Sequence, residues 1–300
     1  MYDVNKDVRV SADASSFGLG ACMEQQDDEG NWKPVLYASR SLTPAERKQA
    51  QIEKEALALT WACDRFSTYI LGKQVTLLTD HKPLVNILQA KNIDELSPRL
   101  QKYRMTMMRY TYSVQHVSGK QFYTPDALSR APQEVDDHIP TYTIGELEEY
   151  TEQCISNMPI SDVRLKEIEK AQESDSVSKT LVNLSMNGWP LHPHQVPLSC
   201  RMFWSVRAEM TVINGLLMKG NLLYVPSQLR KNILERIHEG HLGIEKCIAR
   251  AKGSVWWPGI TREIKECISR CETCLIDKPN RPEPMISTSL PSLPVGNGWC

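Results

Sequence analysis

The sequence predicts an α/β chain. A mixed sheet with helices packed on it comes first, then a helical linker, then a small helical domain organised around a cysteine–histidine cluster. Three observations carry this reading. Apolar and polar residues alternate at period two through much of the first 130 residues, broken by stretches of helical spacing. Residues 131–200 hold 4 Lys+Arg against 12 Asp+Glu, a net of −8, between flanks of +2 (1–130) and +5 (201–300). A His pair and a C-x-x-C sequence stand together in the last hundred residues.

At 300 residues the chain has room for about two domains of ~150 residues each. Its 41% hydrophobic and 24% charged content fits a globular chain and argues against disorder as the dominant state. The longest apolar runs, such as Ala56–Ala62, fall far short of the ~20 residues that cross a bilayer. No basic segment followed by an apolar stretch opens the chain, so secretion is not expected. Nine cysteines in no regular framework point to a reducing compartment, hence an intracellular protein of nucleus or cytoplasm.

Val8, Val10 and Ala12 alternate, followed by Gly18–Met23 and, after the turn Asp27-Asp28-Glu29-Gly30-Asn31, by Val35–Ala38. This predicts a three-stranded antiparallel meander. Thr43 as N-cap, Pro44 in the first helical position and Glu46 three residues after the cap start a helix expected to run to about Tyr69. Gln74–Thr79 reads as a strand ending at Asp80, Leu84–Leu88 and Leu96–Met108 as helices, Tyr110–Val117 as a strand and Pro125–Arg130 as a short helix. The acidic stretch from Gln133 reads as linker, with two helices at Val163–Ala171 and Val177–Leu184. Three short strands (Met210–Ile213, Leu216–Lys219, Leu222–Val225) precede helices from Ser227 onward. The domain boundaries expected are 1–130, 131–195 for the linker, 196–285 for the second domain and 286–300 for a tail.

Four acids sit at the ends or edges of these elements: Asp13, Glu55, Asp80 and Asp126. Asp13 lies among small residues, Ser11-Ala12-Asp13-Ala14-Ser15, which let a bulky phosphodiester approach. Acids on neighbouring strand ends, joined by one from a covering helix, make an oxygen-rich pocket suited to hard divalent cations such as Mg²⁺. In the long helix, Ile52, Ala56, Leu59, Cys63 and Phe66 define the buried stripe. Glu55 lies close to it, whereas Glu53 points to the other side and is expected to face water.

Asp13-Ala14-Ser15, Ser41-Leu42-Thr43-Pro44-Ala45-Glu46, Glu53-Lys54-Glu55-Ala56-Leu57-Ala58, Thr79-Asp80-His81-Lys82-Pro83-Leu84 and Asp126-Ala127-Leu128-Ser129-Arg130 resemble the RNase H domain of gypsy-type LTR retrotransposon polyproteins. The resemblance covers residues 1 to about 130. It implies the RNase H-like fold and cleavage of the RNA strand of RNA:DNA hybrids with two Mg²⁺ ions. The family's four acids fall on Asp13, Glu55, Asp80 and Asp126, and a mobile loop histidine falls on His116. The chain departs from the pattern in the loop before Asp126, with Phe122 where Asn is usual and Pro125 where Ala is usual. Arg99, Lys102, Arg104 and Arg109 cluster around the helix before the last strand and read as a sequence-independent track for hybrid phosphates.

His238-Glu239-Gly240-His241 precedes Cys271-Glu272-Thr273-Cys274 with 29 residues between the blocks. Two imidazoles and two thiolates are the tetrahedral donor set of a structural Zn²⁺. Cys247 and Cys267 have no matching partners and read as small core residues. His241-Leu242-Gly243, Trp257-Pro258-Gly259 and Cys271-Glu272-Thr273-Cys274 resemble the zinc-binding N-terminal domain of gypsy-type integrases, over about residues 200–280. RNase H precedes integrase in such polyproteins, so the order agrees. No reverse transcriptase and no integrase catalytic core are expected within these 300 residues, so no strand transfer is expected either.

The leading expectation is therefore a retrotransposon-derived ribonuclease H joined to a zinc module. Its partners would be RNA:DNA hybrid and also DNA, with no membrane, and with self-association through the zinc domain. The alternative is a decayed, retroelement-derived protein that binds nucleic acid or protein without cleaving. The four retained acids favour the enzyme, and the altered Phe122–Pro125 loop favours the alternative.

Overall fold

A computed structural model describes residues 2–119, 122–132 and 144–276. The expected tail 286–300 and the stretch 133–143 of the expected linker lie outside these residues. β1 (Val8–Ala14), β2 (Gly18–Gln26) and β3 (Trp32–Ser41) form the antiparallel meander. Asp27 shapes its second turn, its Oδ1 accepting from the Glu29 and Asn31 N–H groups, while Gly30 takes a φ of 85°. β4 (Gln74–Thr79) joins β1 in parallel, and β5 (Thr111–His116) joins β4 in parallel, giving the order β3-β2-β1-β4-β5. β1 lies at the centre and is buried almost throughout, which its small and β-branched residues permit. β3 is the open edge, where Pro34 costs no ladder bond and the register shifts opposite Met23/Glu24. This is the mixed sheet with flanking helices that the sequence predicts.

The long helix expected from Thr43 is broken into α1 (Pro44–Arg47), α2 (Gln51–Arg65) and α3 (Ser67–Ile70). The capping box forms as expected, with Thr43 and Glu46 exchanging side-chain bonds to backbone N–H groups. Glu46 is also clamped by both guanidinium nitrogens of Arg40 at 2.7 Å, which ties α1 to β3. Ala50 then turns extended (ψ 151°), and Glu53 Oε2 accepts its N–H at 3.3 Å to begin α2 afresh. The restart matters because it turns Glu53 inward. Expected to face water, Glu53 is instead fully buried, accepting from Ser97 Oγ at 2.9 Å and from Arg99 Nη1 at 3.0 Å.

α4 (Lys82–Gln89) packs on β4 and β5, α5 (Pro98–Met107) packs on α2, and α6 (Tyr123–Arg130) lies across β2. Gly20 makes that crossing possible. A Cβ there would lie 2.3 Å from the Pro125 carbonyl oxygen and 2.5 Å from the Ser129 nitrogen.

Beyond residue 143 come α7 (Ile144–Ser156), α8 (Asp162–Ser174) and α9 (Ser176–Asn187). The last two correspond to the two helices expected there, and both pack on a second sheet, β6 (Met210–Ile213), β7 (Leu216–Lys219), β8 (Leu222–Tyr224) and β9 (Val255–Trp256). Gln172 of α8 is buried, its amide bonded to the Leu217 backbone N–H and carbonyl and to the Tyr224 carbonyl. Leu181 joins Phe203, Leu217, Tyr224, Cys247 and Trp257 in one core. α10 (Ser227–Ile237), α11 (Ile244–Lys252), α12 (Ile260–Ser269) and α13 (Glu272–Ile276) complete the described chain.

The two halves touch through charge and close backbone approach. Glu209 lies 3.1 Å from Lys91 and 3.0 Å from Lys219, and Gly220 sits where a Cβ would be 2.3 Å from the Glu95 carbonyl oxygen. Among the described residues no helix is long and apolar enough to cross a membrane.

Candidate nuclease centre and zinc site

The sheet order places the carboxyl ends of β1 and β4 side by side, so Asp13 and Asp80 emerge together. Asp13 is buried, opposite Gly20 in the ladder, and Ser129 Oγ of α6 donates to its Oδ2 at 2.6 Å. Glu55 comes down from α2. Gln51, one turn earlier, donates to Glu55 Oε1 at 2.7 Å and to the Ala14 carbonyl at 2.9 Å, fixing the helix over the end of β1. Glu55 Oε2 is buried with no hydrogen-bond partner. Asp13, Glu55 and Asp80 each offer an oxygen within 4.8 Å of the others. Oxygens on one Mg²⁺ lie ~2.9–4.2 Å apart at bond lengths of ~2.1 Å, so this donor set is of the right kind and nearly the right size. An orphaned buried carboxylate oxygen is costly unless a cation or proton meets it.

The electrostatics agree. Burial pushes the Asp13 carboxyl up to about 6 against the opposing bond from Ser129, with Asp80 and Asp126 adding to the rise. Burial, then Asp13 and Asp80, hold Glu55 well above the ordinary range. Asp80 is raised by burial and by Asp126, with His116 opposing. Negative charge is thus gathered where a cation or a proton relieves it.

This has a measurable consequence in Mg²⁺-free buffer with zinc retained. The folded Asp13 carboxyl at about 6 lies above its unfolded value near ~3.9, so the folded state holds the extra proton between them. Stability should fall by roughly 2–3 kcal/mol as pH rises through this window, and stay low above it. Urea titrations of wild type and Asp13→Asn from pH 4 to 7 check this. The variant should show a smaller loss, because Glu55 and Asp80 remain raised there, and parallel curves would refute the Asp13 contribution.

Asp126 is not brought into the trio. Its Oδ1 is held by Arg130, one turn on, at 2.7 Å, and the carboxylate stays partly exposed. It acts on Asp13 and Asp80 through charge alone. His116, at the end of β5, donates from Nε2 to the Asp80 carbonyl at 3.1 Å, which places it at the rim.

The expected phosphate track requires correction. Arg99 lies against buried Glu53 and also donates to the Val212 carbonyl at 3.0 Å, joining the two halves. Arg104 donates to the Ile87 and Lys91 carbonyls, closing the C-terminal end of α4. Arg109 pairs with Asp64 at 2.9 Å, and Lys102 sits 5.8 Å from the Tyr150 ring centroid. Arg99 and Arg104 are cross-braces, Arg99 binding through Nη1 and Arg104 through Nη1 and Nη2. Arg99→Ala should therefore cost about 3–5 kcal/mol of stability, since it strands a buried carboxylate. Chemical denaturation checks it, and a loss below ~1 kcal/mol would restore a surface role.

The second cluster forms as expected. His238 caps α10, and His241 follows in the left-handed region (φ 48°), which turns its ring back. Cys271 precedes α13 and Cys274 lies within it. Cys274 Sγ is 3.3 Å from His238 Nε2 and 3.6 Å from His241 Nδ1, and Cys271 Sγ is 3.3 Å from His241 Nδ1. Tetrahedral zinc with bonds of ~2.0–2.3 Å has ligand–ligand edges of ~3.3–3.8 Å, so the donor set fits in kind and spacing. Cys271 is held below the usual thiol range, chiefly by the Cys274 backbone N–H, and burial lowers His238, which favours the ligating forms. Cys247 is buried behind His238, donating to the Leu242 carbonyl at 3.2 Å, and neither it nor Cys267 belongs to the ligand group.

Two supporting residues escaped the sequence reading. Ser129 stands three residues after Asp126, on the same side of one helical turn, and Gln51 stands four before Glu55. Helical spacing from an assigned acid was the signal available for both.

Residues 3–110 match the model of the RNase H-like domain found in reverse transcriptase, and residues 225–280 match that of the integrase zinc binding domain. The first segment contains Asp13, Glu55 and Asp80, and the second contains all four His/Cys residues. The retrovirus-related Pol polyprotein from transposon 412 of Drosophila melanogaster is 25% identical over 334 residues, covering 90% of this chain and 27% of that protein. The corresponding polyprotein from transposon 297 is 34% identical over 136 residues, covering 45% of this chain and 12% of that protein. The chain thus spans about a quarter or less of these relatives. Among solved structures, RNase H1 from Halobacterium salinarum aligns with a TM-score of 0.32 at 18% identity, covering 41% of this chain and 93% of that one. The chain therefore joins an RNase H-like segment to an integrase-type zinc-binding segment, and over most of its length it is similar to retrovirus-related Pol polyproteins of transposons.

Proposed function

We propose that residues 1–130 form a ribonuclease H that cleaves the RNA strand of RNA:DNA hybrids, in a chain derived from a gypsy-type retrotransposon polyprotein and acting inside the cell. The convergence of Asp13, Glu55 and Asp80 around an unpartnered buried oxygen carries this reading. On it, Asp13 and Asp80 hold the divalent cations, Glu55 adds a ligand from above, and Asp126 contributes at longer range. Two Mg²⁺ ions, when bound, lower the pKa of the attacking water and stabilise the departing 3′ oxygen. Ser129 and Gln51 position the carboxylates so that little reorganisation is left to the reaction itself. Small residues around Asp13 leave space for the phosphodiester, and discrimination for hybrid comes from the 2′-hydroxyls and minor-groove shape.

His238, His241, Cys271 and Cys274 hold one Zn²⁺ that keeps the second domain folded. The domain divisions expected at residues 130 and 195 belong to the same reading.

The test is a labelled RNA:DNA hybrid incubated with the 300-residue protein in Mg²⁺. Cleavage of the RNA strand supports the reading. Binding without cleavage would support a decayed, nucleic-acid-binding protein, which the altered loop and the Asp126–Arg130 pairing favour.

A further inference from the structure

Beside the carboxylates, a cleft of about 230 Å³ separates the start of α4 from the segment between α9 and β6. Asp80, His81 and Lys82 line one wall, and Trp189, Trp204 and Arg207 line the other. Residues 185–210 lie between the two family-matched segments, so neither match assigns them a role.

The second wall is flat and layered. The Arg207 guanidinium stacks on the Trp204 ring at 4.1 Å, and the Trp189 ring meets Trp204 edge to face at 6.3 Å. Arg207 has no carboxylate partner among the described residues, donating only to the Trp204 carbonyl at 2.7 Å. Lys82 is exposed at the mouth. Ser185 and Trp189, also in the lining, each carry a buried polar atom without a hydrogen-bond partner. The volume lies below the ~300 Å³ at which sites for whole drug-sized ligands begin, which suits a single flat ring system.

We propose that this cleft binds one unstacked nucleotide of the strand lying across Asp13 and Asp80, its base against the Trp204–Arg207 layer and its phosphate near Arg207 and Lys82. The proposal deepens the nuclease reading and rests on it for the path of the strand. Every base has a π-face, so the site is indifferent to sequence, and the uncompensated guanidinium supplies charge where a backbone phosphate would follow. The second half of the chain thereby completes the substrate surface of the first.

Fluorescence anisotropy of labelled oligo(dT) with the full 300-residue protein tests the site apart from cleavage. Trp204→Ala and Arg207→Glu should each weaken binding by about 5–100-fold, and Trp204→Phe should retain most of it. An abasic oligonucleotide of equal length should bind wild type as weakly as oligo(dT) binds Trp204→Ala. If Trp204→Ala disturbs the fold, Arg207→Glu and Lys82→Glu carry the test, because both positions are polar and not part of the core. Variants that bind oligo(dT) as wild type does, or an abasic strand that binds equally well, would overturn the proposal. A wild type that binds through Trp204 yet leaves hybrid uncut keeps the cleft and removes the nuclease reading. One that cuts hybrid while ignoring Trp204 does the reverse.

Discussion

Asp80→Asn and Asp13→Asn should each reduce hybrid cleavage by about 10²–10⁴-fold, a loss of ~3–5 kcal/mol in transition-state stabilisation. Both remove a charged donor from the point where the ends of β1 and β4 meet, and among the described residues Glu55 is the one further carboxylate in that oxygen cluster. Asp126 is engaged by Arg130, and Glu53 is engaged by Ser97 and Arg99 on the far side of α2. The series should therefore be graded. Glu55→Gln should sit just behind the two aspartates, and Asp126→Asn should be mildest. Glu53→Gln should leave the rate of folded protein nearly intact while lowering its stability. Single-turnover cleavage, alongside denaturant curves for every variant, separates the two effects. Equal cutting by wild type and Asp80→Asn would sink the mechanism, as would loss of cleavage in Glu53→Gln with Glu55→Gln unaffected.

Removal of zinc should abolish the fold of residues ~230–280. Structural zinc in small modules contributes about 10–16 kcal/mol of apparent binding free energy, comparable with the ~5–15 kcal/mol that stabilises a whole domain. The helices here are short, and the ligands come from the end of α10, the following turn and α13. Without the ion, two imidazoles and two thiols would crowd within 4.8 Å, and α13 would lose its link to the end of α10. A chelator, or Cys274→Ser, should expose this region to protease and strip its amide-exchange protection, while the core around Trp61 and Leu77 stays protected. Elemental analysis should give one zinc per chain. A zinc-free protein with undiminished protection at 230–276 would falsify the assignment.

The first domain was legible because its signals were local and redundant. Alternation marked β1 to β3 and β5, β-branched residues marked β4, and the helical stripe through Ile52, Ala56 and Leu59 pointed to Glu55, which the fold brings beside Asp13 and Asp80. Glu53's burial was hidden, because that inference needs the restart at Ala50 and the arrival of Ser97 and Arg99 from α5. Neither feature is written in the helical spacing of 43–69. The basic cluster misled for a related reason. A sequence shows that Arg99 and Arg104 are cations but not that a buried glutamate and the end of α4 are waiting for them. In the second half, β9 is only two residues long, too short for periodicity to mark. The acidic composition of 131–200 was informative about the surfaces of α8 and α9. It concealed the few residues, Ile168, Gln172 and Leu181 among them, that bind these helices to the second core.

The hydrogen bond from Ser129 to Asp13 spans 116 positions of chain. It links the end of β1 to α6, the first strand of the sheet to the last helix laid over it. At translation speeds of roughly 5–20 residues per second, the ribosome takes about 6–23 s between them. During that interval Asp13 and Gly20 exist without the helix that covers them. A nascent chain can thus complete β1 to β5 while its carboxylate still swings freely, and the centre is set only when α6 emerges and closes over the glycine. Under the proposed nuclease reading, hybrid cutting would then begin only once α6 has been made, and products truncated ahead of residue 123 would lack the Ser129 bond that fixes Asp13.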